Sequence, residues 1–546
     1  MRLKIYKIVA LLLLSTYTFI HCSIAVFQLQ YSVIMPRFTK PRTLAVPVKP
    51  PKGHFFFAGH TIERVKWWTS GPMRKLYFLL VVMIMTNTAN GFDGSMMNGL
   101  QSLSYWQEYF NHPSGSMFGL FNASMSLGSL IGLFFVPYTI DLLGRRAGVL
   151  IGSVIMCLGV GLQTGAANFG MFVASRLLID RAVLVTLSGA SYHSGAFIAS
   201  WVTFATLKIP SDWSWRLPSL LQCTFSIIIS IAIFFTPESP RWLISKDRSE
   251  EALDIIAKYH SVNGDRDDKL VQLEYNEIVA AIKMDQEANR TGWLDLVKTP
   301  GNRKRMGIIT AIGFFSQWSG NGIISYYLST IMKDIGITSA KTQLGINGGM
   351  KSTSLVTNMG MSFFADKMGR RPMYLISTIG TFFVFNIATI LAARYAATPH
   401  SSIGAAFVAM LFVYGFFYDF KNGLMATYTT EIMPYGLRAK GFTWLNFCVT
   451  LSLFFNQYIN AIALKALKWK YYICYCVFLA FEVLVIYLFL VETRYTPLEE
   501  IAKYFDGEER TLDVAAVANE QVKHDADGEI KEKGLIVQQV EIVDKV

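Results

Sequence analysis

Ten mostly apolar runs divide this chain, each near the ~20 residues that cross a bilayer as a helix. They cover residues 76–100, 118–140, 149–166, 217–235, 308–332, 344–365, 374–394, 403–420, 442–463 and 471–491. One water-soluble core has no room for so many long apolar segments. Charged residues make up only 16% of the 546, against about 25% in soluble domains. The pattern predicts an all-α membrane protein in contact with the lipid bilayer. The net charge of +12 does not point to nucleic acid. Its basic residues cluster between the apolar runs, as the positive-inside rule requires of cytoplasmic loops.

The chain divides further by composition. Residues 1–75 hold an apolar run at 8–34 followed by a basic stretch, and both flanks of that run prefer the cytoplasm. It reads as a span, a signal or an artefact upstream of a start at Met35. A first helix bundle is expected over 76–236, a charged helical linker over 237–305, a second bundle over 306–492 and a cytoplasmic tail over 493–546. The six cysteines lack zinc or redox spacing and read as packing residues. No nucleophile–base set, phosphate loop or metal spacing is present. An enzyme is therefore disfavoured, and no metal or cofactor is expected.

An internal repeat links the halves. Asp141-Leu-Leu-Gly144-Arg145-Arg146 recurs 225 residues later as Asp366-Lys-Met-Gly369-Arg370-Arg371. A second echo joins Pro237-Glu238 to Val491-Glu492 at an offset of 254. Repeated halves mark many transporter folds. Between the two motifs the first half is 29 residues shorter than the second. The shortfall falls in 169–207, one apolar stretch interrupted by Arg176, Asp180, Arg181 and His193. If the loops at Arg145 and Arg241 share a side, this stretch crosses the membrane twice or not at all. Two full spans leave it no turn. Spans four and five are therefore expected to be truncated.

Six motifs in order resemble one family. They are residues 141–146 with Pro-Glu-Ser-Pro-Arg-Trp at 237–242, Gln-Trp-Ser-Gly-Asn-Gly at 317–322 with Tyr326-Tyr327, residues 365–372, Glu431-Ile-Met-Pro434 with Arg438-Ala-Lys-Gly441, and Val-Glu-Thr at 491–493. The chain is similar to the sugar porters of the major facilitator superfamily. Residues 455–460 and 469–472 are most like its fungal lactose permease and hexose transporter-like branch. The resemblance implies the major facilitator fold, two pseudo-symmetric six-helix bundles with the first incomplete. It also implies a sugar site between them, alternating access, a monomer and a place in the plasma membrane. It leaves proton symport and facilitated diffusion both open.

Several residues suit such a function. Gln317 and Asn321 offer donors and acceptors to sugar hydroxyls, and four-residue spacing puts them on one helix face. Tyr326 and Tyr327 could cover a pyranose face, and Asn456 is a weaker candidate. Their structural alternative is interhelical hydrogen bonding. Asp93 is costly in a span unless paired or protonated. The resemblance implies that it pairs with an Arg on span four, where Arg176 stands, in proton-coupled members. Its bland alternative is a solvated surface carboxylate. Asp141, Arg145, Arg146, Glu238, Arg241, Asp366, Arg370, Arg371, Glu431 and Arg438 form a candidate gating network, or simply orient the helices. Lys351 stands where the branch usually has Gln, and Ser354 where it has Asn. Lys351 must find a partner or snorkel. Lys421 has the same problem, with Asp419 near. Three readings follow: a sugar transporter, a non-transporting sugar sensor, or the inactive product of a damaged gene.

Overall fold

The computed structural model describes residues 54–57, 60–63, 71–179, 189–261, 264–288, 292–494, 501 and 504–506. The 8–34 run, the proposed start at Met35 and the tail beyond residue 507 lie outside the described residues. Two short strands, β1 (His54–Phe57) and β2 (His60–Glu63), pair antiparallel. Among the described residues after them, all are helical or loop.

The first bundle contains α1 (Gly71–Leu100), the short α2 (Ser104–Tyr109), α3 (Ser116–Leu143), α4 (Arg145–Thr164), α5 (Phe169–Ile179), α6 (Gly189–Thr206) and α7 (Trp213–Ile233). The linker folds as α8 (Pro240–Ser245), α9 (Ser249–His260), α10 (Lys269–Ala288) and α11 (Asp295–Lys298). The second bundle follows as α12 (Pro300–Trp318), α13 (Asn321–Asp334), α14 (Ala340–Met368), α15 (Arg370–Ala397), α16 (Ser401–Asn422), α17 (Leu424–Ile432), α18 (Arg438–Leu467) and α19 (Tyr471–Phe489). Each expected span overlaps a helix. The run at 308–332, however, is two helices. Gly320 takes φ +96 between α12 and α13, a left-handed conformation that a residue with a Cβ rarely adopts.

Over 169–206 the described residues form two helices, α5 and α6, with 180–188 outside the described residues. At 1.5 Å per residue, the 11 residues of α5 cover only about 16 Å, roughly half of a ~30 Å hydrocarbon core. Helix α6 starts beside the middle of α1. A Cβ on Gly91 would fall on the Tyr192 carbonyl, and one on Gly195 on that of Thr88. It then runs parallel to α1 as far as Gly99 and Thr203. Likewise Gly128, in the middle of α3, lies against Leu177 near the end of α5. Both helices thus occupy the half of the bundle away from the linker. Helices α5 and α6 stand where spans four and five were expected.

The repeat is a matched pair of staples. Glu238 accepts from the backbone N–H groups of Arg145 (3.2 Å) and Arg146 (3.3 Å). Glu492 accepts from those of Arg370 and Arg371, both at 3.0 Å. Each carboxylate therefore satisfies two free donors at a helix N-terminus and meets its positive dipole end. The preceding glycines match as well, Gly144 at φ +92 and Gly369 at φ +93, and a Cβ on either would sit 2.8 Å from the glutamate Oε2. Each staple closes within its own half.

In the linker, Leu243, Ile256, Val271 and Ile278 share a small core on the apolar faces of amphipathic helices. His260 Nδ1 lies 2.5 Å from Glu274 Oε2. That hydrogen bond raises the imidazole above its ordinary 6.5, against the opposing effect of burial.

Gly144→Ala and Gly369→Ala are each expected to cost about 1–2 kcal/mol from the left-handed backbone, with further loss at the staple. Thermal unfolding in detergent would read this as a lowered midpoint. The His260 pair predicts a pH effect of definite sign. A raised folded pKa gives stabilisation that is complete below the unfolded value and lost as pH rises through the folded one. Hydrogen exchange in α9 and α10 should therefore accelerate beyond its intrinsic rate as pH climbs past neutrality, and His260→Gln should flatten that trend.

Candidate functional site

The two bundles meet along α3 with α18, α6 with α14, and α1 with α13. On the side away from the linker they are closed against each other. A Cβ on Gly119 would lie 3.2 Å from that of Ala461. Polar bridges span the same seam. Asn98 Nδ2 donates to Asn347 Oδ1 (3.1 Å), Ser126 Oγ to Gln457 Oε1 (2.5 Å), Trp201 Nε1 to Ser352 Oγ (3.2 Å) and Lys465 Nζ to Ser114 Oγ (3.0 Å). Nearer the middle, Asn422 and the His193 Nε2 are 3.0 Å apart.

Helix α13, which follows the break at Gly320, packs against α1 across this seam. Gln317 and Asn321 stand on either side of that break, so they occupy two helices and the shared-face argument from four-residue spacing does not hold. The reason is Gly320, which turns the chain between them. Helix breaks free backbone groups, and in a membrane these need partners. Tyr414 and Tyr418 of α16 donate to the carbonyls of Ser319 (2.8 Å) and Ser316 (2.6 Å). Asn456 of α18 donates to the carbonyl of Gln317 (2.7 Å).

These bonds separate the sequence candidates. Gln317, Asn321 and Tyr326 are half-buried. The Asn321 Oδ1 accepts from Ser325 (2.9 Å). Tyr327 is enclosed; its hydroxyl donates to the Gln457 carbonyl and its ring lies 5.6 Å from Phe118. Asn456 is also committed, for its Oδ1 accepts from Tyr475 (2.8 Å) and Asn460 (2.6 Å). With Asn460, Tyr471 and Tyr475 it backs a crevice of about 210 Å³ between α18 and α19, whose rim residues Phe455 and Ile459 are exposed.

Asp93 is 1% exposed and Arg176 3%. The bland reading of Asp93 as a solvated surface carboxylate therefore fails. Asp93 lies between Gly91 and Gly94, which pack against Tyr192. Arg176 Nη2 lies 3.4 Å from Met125 Sδ.

The gating candidates sit at the linker-side helix ends. Besides the Glu238 staple, Arg146 Nη2 donates to the Phe234 carbonyl (3.3 Å), and the Asp141 carbonyl accepts from Trp242 (3.2 Å). Arg241 is an exposed residue of α8. In the second half Arg370 pairs with Glu431 (2.8 Å), and Arg371 donates to the Tyr487 carbonyl (2.9 Å). Arg438 opens α18. The side chain of Asp366 lies outside the described residues. Glu492, absent from the gating candidates, does for this half what Glu238 does for the first. The echo between residues 237–241 and 491–494 was its signal.

Two intramembrane lysines find partners. Lys351 lies within electrostatic range of Asp419, whose carboxylate accepts from Ser354. The partner of Lys421 is Glu482 of α19 at 2.5 Å, rather than Asp419. Residues 419 and 421 are two apart on a helix and point to different faces. Among the described residues no group of three or more His, Cys, Asp or Glu could hold a metal.

Comparison with known proteins agrees with this geometry. The chain is 26% identical over 490 residues to the MFS glucose transporter mfs1 of Aspergillus flavus, covering 79% of this chain and 90% of that one. It is 25% identical over 472 residues to the high-affinity glucose transporter of Kluyveromyces lactis, covering 78% and 84%. In fold it is similar to the E. coli xylose transporter XylE in a partially occluded inward-open conformation, at TM-score 0.63 and 17% identity, covering 77% of this chain and 99% of that one. These relatives are transporters rather than enzymes. The family model described as "Sugar (and other) transporter" matches residues 79–179 and 180–505. Its two segments meet where α5 ends and the 29-residue shortfall was placed.

Closure of the far side predicts a cross-link. With Gly119→Cys and Ala461→Cys together, the Cβ atoms would start near the ~3.5–4.5 Å of a disulfide. Mild oxidation should then join the fragments of a protein cleaved in the linker. Arranged as two repeated, apolar helix bundles around a broken helix, and matched by one family model over nearly all its described length, this chain belongs to the sugar transporter family of multi-pass membrane proteins.

Proposed function

We propose that this protein carries a sugar, a hexose or a disaccharide such as lactose, across the plasma membrane by alternating access. The observation that carries this reading is the broken helix at the seam. It sets Gln317 and Asn321, two half-buried amides, at the end of α12 and the start of α13, the helix that meets α1 of the other bundle. Amides on unwound backbone are suited to hydroxyl-rich ligands, and Tyr326 adds an aromatic surface. The glucose transporters among the relatives support the substrate class. Tyr327 and Asn456 serve this site by holding α13 and the α12 terminus, since their own polar groups are spent.

In this reading Asp93 carries the coupled proton. A carboxylate enclosed in the first bundle is neutral when isolated and ionised when a cation such as Arg176 approaches. The Glu238 and Glu492 staples, with Arg370 and Glu431, keep the linker-side ends of each half rigid while one half rocks against the other. The protein acts as a monomer.

A second reading, sugar binding without transport, is favoured by one observation. The described part of α5 ends at Ile179 and that of α6 begins at Gly189, each beside the middle of a neighbouring helix, α3 and α1.

Radiolabelled glucose and lactose uptake in a yeast lacking its own sugar transporters separates the two. Transport predicts uptake above the empty-vector rate, and Gln317→Ala should reduce it by tenfold or more, about the value of one or two lost hydrogen bonds. Asp93→Asn should abolish accumulation against a gradient while sparing exchange. Binding to purified protein with no uptake would favour the second reading. Unchanged proton-driven accumulation in Asp93→Asn would refute its coupling role.

A further inference from the structure

The second bundle encloses a charge pair that the sugar site does not explain. Lys421 and Glu482 are 5% and 0% exposed, with Nζ and Oε1 2.5 Å apart. A lone charge in such a place is strongly disfavoured, and pairing offsets that cost for both. Lys421 has a second contact. Its Nζ donates to Ser319 Oγ at 3.0 Å, and Ser319 ends α12 at the helix break. The negative end of the α12 dipole faces it there. Lys421 therefore stands between two anionic partners, one a carboxylate and one the broken helix between Gln317 and Asn321.

The surroundings of Glu482 are built for a change of charge. A chamber of about 10 Å³, the room of about one water, is lined by Ser316, Tyr374, Tyr418, Lys421, Asn422 and Glu482, among others. Two buried oxygens beside it, Glu482 Oε2 and the Tyr374 hydroxyl, have no hydrogen-bond partner among the described residues. Groups facing Glu482 from its packing neighbours are Lys421, Tyr414 and Tyr418 of α16, Tyr374 of α15, and Ser316 of α12. Lys421 is the one cation among them. Asp419 turns to the opposite face of α16, toward Lys351. Asn422 lines the chamber and also meets His193 of the first bundle, which connects the chamber to the seam.

We propose that Glu482 is a second proton-binding site, and that Lys421 transmits its protonation to the helix break that holds the sugar. A proton arriving through the chamber adds to a Glu482 carboxylate oxygen and neutralises it. Lys421 keeps its charge and shifts its attraction to Ser319 and the α12 terminus. The break tightens, and Gln317 and Asn321 move with it. Lys421 is thus a positioning residue for the sugar site, and this part of the proposal rests on the sugar reading above.

The test uses the full chain in lipid nanodiscs. Infrared difference spectra across an acid-to-neutral series should show carbonyl stretches of desolvated carboxylic acids that titrate, and Glu482→Gln should lose one of them, the component that Asp93→Asn keeps. Because Glu482→Gln leaves Lys421 buried without a charge partner, the double variant Lys421→Met/Glu482→Leu serves as a second, charge-free control. Glucose binding, followed by the fluorescence of Trp318 beside Gln317, should change in affinity by about tenfold over the same series in the natural chain, within the range of allosteric couplings. The double variant should lose the part of this dependence owed to Glu482, and be flat when combined with Asp93→Asn. Bands that persist undiminished in Glu482→Gln, or are absent from the natural chain, overturn the proton site. Full pH dependence in the double variant overturns the transmission through Lys421. Glucose that binds at no pH would refute the sugar reading, while the infrared result would still decide the proton site.

Discussion

In hydrocarbon every freed carbonyl and every charge must find its partner inside the protein, at several kcal/mol for each failure. The break at Gly320 creates that demand in the middle of this molecule, and much of the second bundle answers it. Tyr414 and Tyr418 take the carbonyls of Ser319 and Ser316, and Asn456 takes that of Gln317. Asn456 in turn needs Tyr475 and Asn460. Lys421 reaches Ser319 and therefore needs Glu482. One unwound turn thus recruits α16, α18 and α19 into a single polar network. The amides on either side of it stay half-buried.

The two halves use one device at their linker-side ends and then diverge. A glycine with positive φ leads into two arginines whose backbone donors are capped by a glutamate nearly one hundred or more residues on. The second half reinforces this with Arg370–Glu431. It adds a buried bidentate pair between Arg305 and Asp506, in which Arg305 also donates to the Ile432 carbonyl (3.0 Å). That arrangement fastens the chain after α19 to the start of α12 and the end of α17.

Most of the architecture was legible because membrane helices announce themselves by length and apolarity. Most expected ends fall within a few residues of the helices, although α12 begins at Pro300, eight residues before the expected 308. The helix break was not legible. Gly320 lies in an apolar run whose hydropathy is continuous, and only its backbone angle distinguishes it from glycines that stay helical, such as Gly313. Pairings across long separations were also hidden. Asp419 is near Lys421 in sequence and Glu482 is far, yet helical phase puts Glu482 within reach. Within the candidate site, residue type identified Gln317 and Asn321. It could not tell that Tyr327 and Asn456 spend their polar groups on the scaffold.

Helices α5 and α6 carry a consequence for how this protein is made. Helix α4 ends beside the start of α7, where Arg216 donates to the Thr164 carbonyl, and α5 and α6 leave and return on that same face. A deletion from their inner ends removes no net passage of the chain. After such a deletion the insertion machinery would thread every later segment in the same direction, with each basic loop on the same side as before. Loss of one whole span would have inverted the entire second bundle. Splicing or mutation can accordingly shorten such a carrier by an inner hairpin and still yield a correctly oriented polypeptide, whereas an odd excision could not.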